Sequence, residues 1–144
     1  MRLFLDANVL FSASHNPRGN ARALFRLAAA RDITLVASSY AVEEAVRNIN
    51  LKFPEYTGEL ASLLERLVLG PEPTSALVRA TTDAALPEKD VPILAAAITA
   101  QADILVTGDR RHFGLLYGKS VRGVLILPPA DALIRALDAV ALGD

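Results

Sequence analysis

Short apolar runs alternate along this chain with longer segments of helical periodicity. The runs at residues 2–5, 33–37, 104–106 and 121–127 predict β-strands, because each is rich in leucine, isoleucine or valine and is bounded by polar or turn-forming residues. Between them, apolar residues recur at spacings of three and four, which is typical of amphipathic helices. Strands that alternate with helices favour a parallel sheet covered on both faces, with right-handed crossovers. The pattern therefore predicts an α/β fold.

The helical segments have recognisable starts and ends. Asn20 is the expected N-cap of the first helix, Pro54 ends the second, and Asp90 fits an N-cap position with Pro92 in the first turn. The leucines of residues 56–69 form a stripe that is either ordinary core or, on a peripheral helix, a surface for a dimer or partner. The predicted helices cover residues 21–28, 40–49, 56–69, 75–84, 93–102 and 131–142.

Composition limits the classes of protein to consider. With 144 residues, 52% hydrophobic and 22% charged, and with no repeat or linker, residues 1–144 are expected to form one globular domain. The absence of cysteine excludes disulfides, thiolate metal sites and a cysteine nucleophile. A net charge of −1 gives no global attraction for nucleic acid, although a basic rim can coexist with an acidic pocket.

No signal peptide or apolar run of about 20 residues is present, so we expect a cytoplasmic protein with no membrane span.

Acidic residues occur where the predicted strands end. Asp6 follows the first strand, and Asp109 follows residues 104–106, at the carboxyl edge where open α/β sheets bind ligands. Glu43 and Glu44 lie early in the helix after another strand, and Asp90 opens a helix. Taken singly, each has an ordinary explanation as a cap, a turn residue or a solvated surface charge. Together they can all face the same edge of the sheet.

Clustered carboxylates repel one another unless cations lie between them, and Mg²⁺ or Mn²⁺ prefers such oxygen ligands. A site of this kind suits phosphodiester hydrolysis without a side-chain nucleophile. Thr107 could support a carboxylate or simply satisfy backbone at the strand end. Of the nearby cations, Arg110 and Arg111 are the better candidates for substrate phosphates, since they follow Asp109 directly. His112 is interpreted as a capping or packing residue rather than a ligand.

The ordered set of motifs resembles the PIN-domain family, the metal-dependent ribonucleases that include VapC-type toxins of toxin–antitoxin modules. The matching pieces are LFLDANVL at 3–10, Ser39 with Glu44, DVPILAAA at 90–97, and LVTGD at 105–109 with Phe113. One departure is Ala7, where the family often has a small hydroxyl residue.

The resemblance implies a three-layer α/β/α sandwich with a central, mainly parallel sheet and an acidic pocket. By motif position it places Asp6, Glu44, Asp90 and Asp109 as metal-binding and catalytic residues, with Glu44 preferred to the adjacent Glu43. Asn8 and Thr107 match supporting polar positions. Residues 56–69 resemble a variable helical region through which toxins form homodimers or hold an antitoxin.

Several functional hypotheses follow. The first is a Mg²⁺- or Mn²⁺-dependent ribonuclease that cleaves RNA, as the toxin of a type II module or a toxin-like relative. The alternative is a catalytically silent PIN-like module that binds RNA or protein. A phosphoaccepting receiver is disfavoured because no lysine follows a late strand, and dinucleotide binding because no G-x-G-x-x-G follows the first strand.

Overall fold

A computed structural model describes residues 1–82 and 85–143 of the chain. The strands are β1 (Arg2–Leu5), β2 (Thr34–Ala37), β3 (Val68–Leu69), β4 (Ile104–Val106), β5 (Ser120–Val121) and β6 (Val124–Leu127). The helices are α1 (Ala7–His15), α2 (Asn20–Ala30), α3 (Ser39–Lys52), α4 (Thr57–Leu64), α5 (Ser75–Ala80), α6 (Val91–Thr99), α7 (Arg110–Phe113) and α8 (Pro129–Gly143). Short 3-10 turns lie at Pro54–Tyr56, Glu88–Asp90 and Gly114–Leu116.

The strands form one sheet in the order β3-β2-β1-β4-β6-β5, and every neighbouring pair except β5 and β6 is parallel. The chain builds outward from β1 through β2 to β3, then returns to place β4 on the other side of β1. The strand order therefore reverses between β1 and β4, the kind of crevice where open α/β sheets bind ligands. Leu5 pairs with Val106, so both strands end at the same level.

Helices cover both faces of the sheet, because successive strand residues are apolar and point in opposite directions. Leu3 and Leu5 pack into a core with α1, α2, α3, α4 and α8, whereas Phe4 packs into a second core with α6 and Phe113 of α7. The side chains of Leu3, Phe4 and Leu5 are all fully buried. The predicted three-layer α/β/α sandwich with a mainly parallel sheet is confirmed.

The prediction of one helix over residues 56–69 is wrong at its C-terminal end, whereas its start is within one residue of that of α4. A 3-10 turn precedes Thr57, α4 stops at Leu64, and Val68–Leu69 pairs with β2 as an edge strand. A two-residue strand has too few positions to show a period in the sequence. Leu60 and Leu63 are only 2% and 4% exposed, so these members of the leucine stripe are ordinary core residues and not a partner surface.

Three smaller predictions also differ from the structure. Residues 121–127 form a hairpin and not a single strand, because Arg122 and Gly123 adopt positive φ angles of 49° and 89° and reverse the chain. Gly19, not Asn20, is the N-cap of α2. The predicted helix 75–84 ends at Ala80, and its positions 83 and 84 lie outside the described residues.

Among residues 1–82 and 85–143, no helix combines the length and the apolar character that crossing a bilayer requires.

Candidate active site

Asp6 lies where β1 ends, and it is the N-cap of α1. Its Oδ1 accepts a hydrogen bond from the Ala7 backbone N–H at 2.8 Å, and its Oδ2 accepts from Thr107 Oγ1 at 2.9 Å and Asn8 Nδ2 at 3.2 Å. The residue is 7% exposed. Burial raises the pKa of this carboxyl; its hydrogen bonds oppose that rise, and the Glu44 carboxylate adds to it. Burial therefore outweighs the hydrogen bonds that favour the ionised form of this carboxyl.

Asn8 and Thr107 connect the ends of β1 and β4. Asn8 Oδ1 accepts from the Gly108 backbone N–H at 2.7 Å, and Asn8 Nδ2 lies 3.4 Å from Thr107 Oγ1. A Cβ on Gly108 would lie 3.3 Å from Asn8 Oδ1, so glycine permits this close approach. Thr107 is fully buried, and its Oγ1 also accepts from the Asp109 backbone N–H at 3.2 Å. These bonds fix Asp6 relative to Asp109.

Asp109 and Asp90 both occupy N-cap positions but use their side chains differently. Asp109 Oδ1 caps α7 by accepting from the His112 backbone N–H at 3.1 Å. Asp90 precedes α6, yet its side chain makes no capping hydrogen bond. Its Oδ2 lies 3.0 Å from Nδ1 of His112, which is also 2.9 Å from Oδ2 of Asp109. Helix capping therefore does not explain the side chain of Asp90.

The His112 ring lies between two carboxylates, a position that was not predicted, while its backbone N–H takes part in the cap of α7. Its ring nitrogen Nδ1 and Asp90 Oδ2 are both buried, and neither has a hydrogen-bond partner among the described residues. The short separations are thus not directed hydrogen bonds. His112 was not predicted as a site residue because helix capping already explains a residue three positions after Asp109. The signal that could have identified it is a histidine one helical turn from a predicted acidic ligand.

The side chains of Asp6, Glu44, Asp90 and Asp109 line one cavity of about 370 Å³, here called the acidic cavity. They come from the end of β1, from α3, from the start of α6 and from the end of β4. Glu43 does not reach this cavity and instead lines a separate surface cavity on the outer side of α3. The acidic cavity is also lined by Ala7, Asn8, Phe11, Tyr40, Asn48, Lys52, Lys89, Ile93 and His112.

Helix α3 contributes a polar stripe to the acidic cavity. Tyr40, Glu44, Asn48 and Lys52 recur every four residues, so they share one side of the helix, and all four line the acidic cavity. Of these four residues, only Glu44 was predicted to belong to the site. The four-residue spacing of the polar residues was the signal that could have identified them.

The predicted phosphate contacts Arg110 and Arg111 do not line the acidic cavity. Both belong to α7, which begins directly after Asp109, and both are exposed. The Arg110 guanidinium lies 5.8 Å from the ring centre of Tyr117, beside a neighbouring cavity. In the described part of the chain, the basic side chains that line the acidic cavity are both lysines, Lys52 and Lys89.

The donor atoms present suit a divalent cation. One ligand atom each from Asp90, Asp109 and His112 lie within 4.8 Å of one another, and Asp6 and Glu44 line the same cavity. Carboxylate oxygens are the ligands that Mg²⁺ and Mn²⁺ prefer. A cation would also compensate the burial of the Asp6 carboxyl and of Asp90 Oδ2 and His112 Nδ1, which make no hydrogen bond to the described residues.

Comparison with known proteins identifies the family and the fold of this chain. A family model described as the PIN domain matches residues 2–111, and no curated protein matches the chain significantly. Three similar solved structures show the same fold. VapBC2 from Rickettsia felis, bound to a DNA fragment from their promoter, has a TM-score of 0.62 and 18% identity over 89% of this chain and 98% of that chain.

PAE2754 from Pyrobaculum aerophilum has a TM-score of 0.65 and 15% identity over 96% of both chains. FitAcB from Neisseria gonorrhoeae has a TM-score of 0.54 and 20% identity over 89% of this chain and 98% of that chain. The family match covers well over half of the sequence and begins and ends near the acids at positions 6 and 109. This chain therefore belongs to the PIN-domain family, as the VapC-type motifs predicted, and members of that family are generally nucleases.

Proposed function

We propose that this protein is a Mg²⁺- or Mn²⁺-dependent endoribonuclease that hydrolyses phosphodiester bonds in RNA at the acidic cavity. One observation carries the proposal: carboxylates from distant segments of the chain line a single cavity, which also holds buried polar atoms that make no hydrogen bond to the described residues. Asp6, Glu44, Asp90 and Asp109 would hold the cation. When bound, a divalent ion supplies activation of water and neutralisation of charge in the transition state.

The chain's own groups have separate tasks in this proposal. Asn8 and Thr107 orient the Asp6 carboxylate through the hydrogen bonds described above. The ammonium groups of Lys52 and Lys89 would bind substrate phosphates at the rim of the cavity. Tyr40 is 59% exposed and lines the same cavity, so its ring is available for stacking against an unpaired base. RNA as the substrate class rests on the family resemblance.

We also propose that the protein acts as the toxin of a type II module, or as a relative of such toxins. The similar structures include VapBC2 and FitAB, each bound to a DNA fragment, which supports an antitoxin as a protein partner. A second copy of this chain is a further expected partner. Light scattering of the chain alone, and after co-expression with the product of any small adjacent reading frame, tests both partners.

The test of activity compares two adjacent glutamates. Purified full-length protein is incubated with labelled structured RNA, and with DNA of matched sequence, in Mg²⁺, Mn²⁺ or EDTA. Glu44→Gln should reduce metal-dependent RNA cleavage by about 100-fold or more, since even removing a group that supports a metal ligand costs about 10–100-fold. Glu43→Gln is the matched control, and it should cleave like the wild type because Glu43 lines a different cavity.

Asp6→Asn and Asp109→Asn should likewise lose cleavage while their circular dichroism spectra stay native. Retained metal-dependent cleavage by both variants would contradict the proposal. RNA binding without cleavage by the wild type would favour a silent binding module instead.

A further inference from the structure

The His112 imidazole occupies a position that its local roles do not explain. The hydrogen bond that caps α7 uses the His112 backbone N–H, which almost any residue could supply. The side chain is 23% exposed, whereas that of its neighbour Phe113 is fully buried. Neither capping nor packing therefore requires an imidazole at this position.

The distances around Nδ1 match those between neighbouring ligands of one ion. Two ligands about 2.1 Å from a six-coordinate ion, at right angles to each other, are about 3.0 Å apart. Nδ1 of His112 lies 3.0 Å from Asp90 Oδ2 and 2.9 Å from Asp109 Oδ2. Since Nδ1 makes no directed hydrogen bond within the described residues, these separations are not set by hydrogen bonding.

We propose that His112 Nδ1 is a nitrogen ligand of the divalent ion and makes the site prefer Mn²⁺ to Mg²⁺. This inference rests on the proposed function only in placing a divalent ion at the acidic cavity. Mg²⁺ favours oxygen ligands almost exclusively, whereas imidazole nitrogen binds first-row transition metals well. As a ligand, Nδ1 presents its lone pair and the ring proton resides on Nε2.

The direct test is pulsed electron paramagnetic resonance of the full-length protein loaded with Mn²⁺. A coordinated imidazole couples its ¹⁴N nucleus to the electron spins of the ion. The wild type should show this coupling, and it should change when the protein is made with ¹⁵N-histidine. His112→Asn and His112→Asp should lose it. His15→Asn is the matched control and should keep it, since His15 does not line the acidic cavity.

Calorimetric titration with Mn²⁺ and with Mg²⁺ provides a second measurement. Replacing His112 with Asp exchanges the nitrogen for a carboxylate oxygen, so the ratio of Mn²⁺ to Mg²⁺ affinity should fall by about tenfold. An unchanged ratio would overturn the inference, and so would tighter Mn²⁺ binding by His112→Asn. Tighter binding would mean that the imidazole acts as a competing counter-charge between Asp90 and Asp109.

The outcomes separate this inference from the proposed function. Mn²⁺ binding and RNA cleavage without ¹⁴N coupling would refute the ligand assignment and leave the nuclease intact. ¹⁴N coupling in a protein that cleaves no RNA would refute the nuclease and leave the ligand assignment intact. Absence of Mn²⁺ binding by the wild type would refute both.

Discussion

The buried Asp6 carboxyl decides the electrostatics of the site. Removing an ionised carboxylate from water is costly unless hydrogen bonds or a cation compensate it. Asp6 receives three hydrogen bonds, from Ala7, Asn8 and Thr107, yet burial still raises its pKa. Those bonds orient the carboxylate but do not supply positive charge. A bound cation would supply it.

Thr107→Val tests the support of Asp6. The substitution keeps the shape of the fully buried side chain but removes the hydroxyl that donates to Asp6 Oδ2. A hydrogen bond to a charged group contributes about 1.5–3 kcal/mol, so the free energy of unfolding at neutral pH should fall by about that amount. Thr107→Ser retains the hydroxyl and should lose less. Urea denaturation of all three proteins measures the difference, and equal stability of the Val and Ser variants would contradict this role.

The raised pKa of Asp6 also predicts how stability depends on pH. A folded-state pKa above the unfolded value means that the folded protein holds the proton more tightly. The stability contributed by protonated Asp6 is therefore fully present below its unfolded pKa of about 3.9 and is lost as pH rises through the raised folded value. In EDTA, the stability of Asp6→Asn relative to wild type should increase from pH 4 towards pH 8. A difference that is flat or falling over this range would contradict the prediction.

At the scale of elements, each residue of the acidic cavity is placed by the end of a strand, the start of a helix or one side of a helix. The apolar runs and helical periods predicted most elements, and the aspartates after β1 and β4 were found because they follow buried strands. Tyr40 and Lys52 were missed because their four-residue spacing from Glu44 and Asn48 was not recognised as one side of α3. Asp90 and His112 meet only after α6 and α7 are packed on the sheet, and no local pattern encodes that contact.

The β5–β6 hairpin gives a prediction at this scale. Gly123 has a φ of +89° with open space where a Cβ would be, so Gly123→Ala should destabilise the protein by about 1 kcal/mol through backbone strain alone. Gly58 also has open space, but it lies in the first turn of α4 without a positive φ. Gly58→Ala should therefore stabilise the protein, by up to about 1 kcal/mol. The melting temperature should therefore fall in Gly123→Ala and rise in Gly58→Ala. Changes of the same sign in both variants would contradict the assigned backbone conformations.

At the scale of the whole molecule, the sheet topology brings the acids together. Asp6 and Asp109 follow neighbouring strands at the point where the strand order reverses, and α3 and α6 add Glu44 and Asp90 from opposite faces of the sheet. The alternation of strands and helices predicted this edge. The edge strands β3 and β5 were not predicted, and they lie at the two ends of the sheet. Strand β6, which pairs with β4 beside the site, falls within the predicted strand 121–127.

The central claim is that these distant acids form one cation site. Anomalous X-ray diffraction from crystals of the protein soaked in Mn²⁺ measures the position of the ion directly. The account predicts an anomalous peak in the acidic cavity, within about 2.3 Å of carboxylate oxygens of Asp90 and Asp109. Its absence from the cavity, with Mn²⁺ only at acids elsewhere on the surface, would contradict the account.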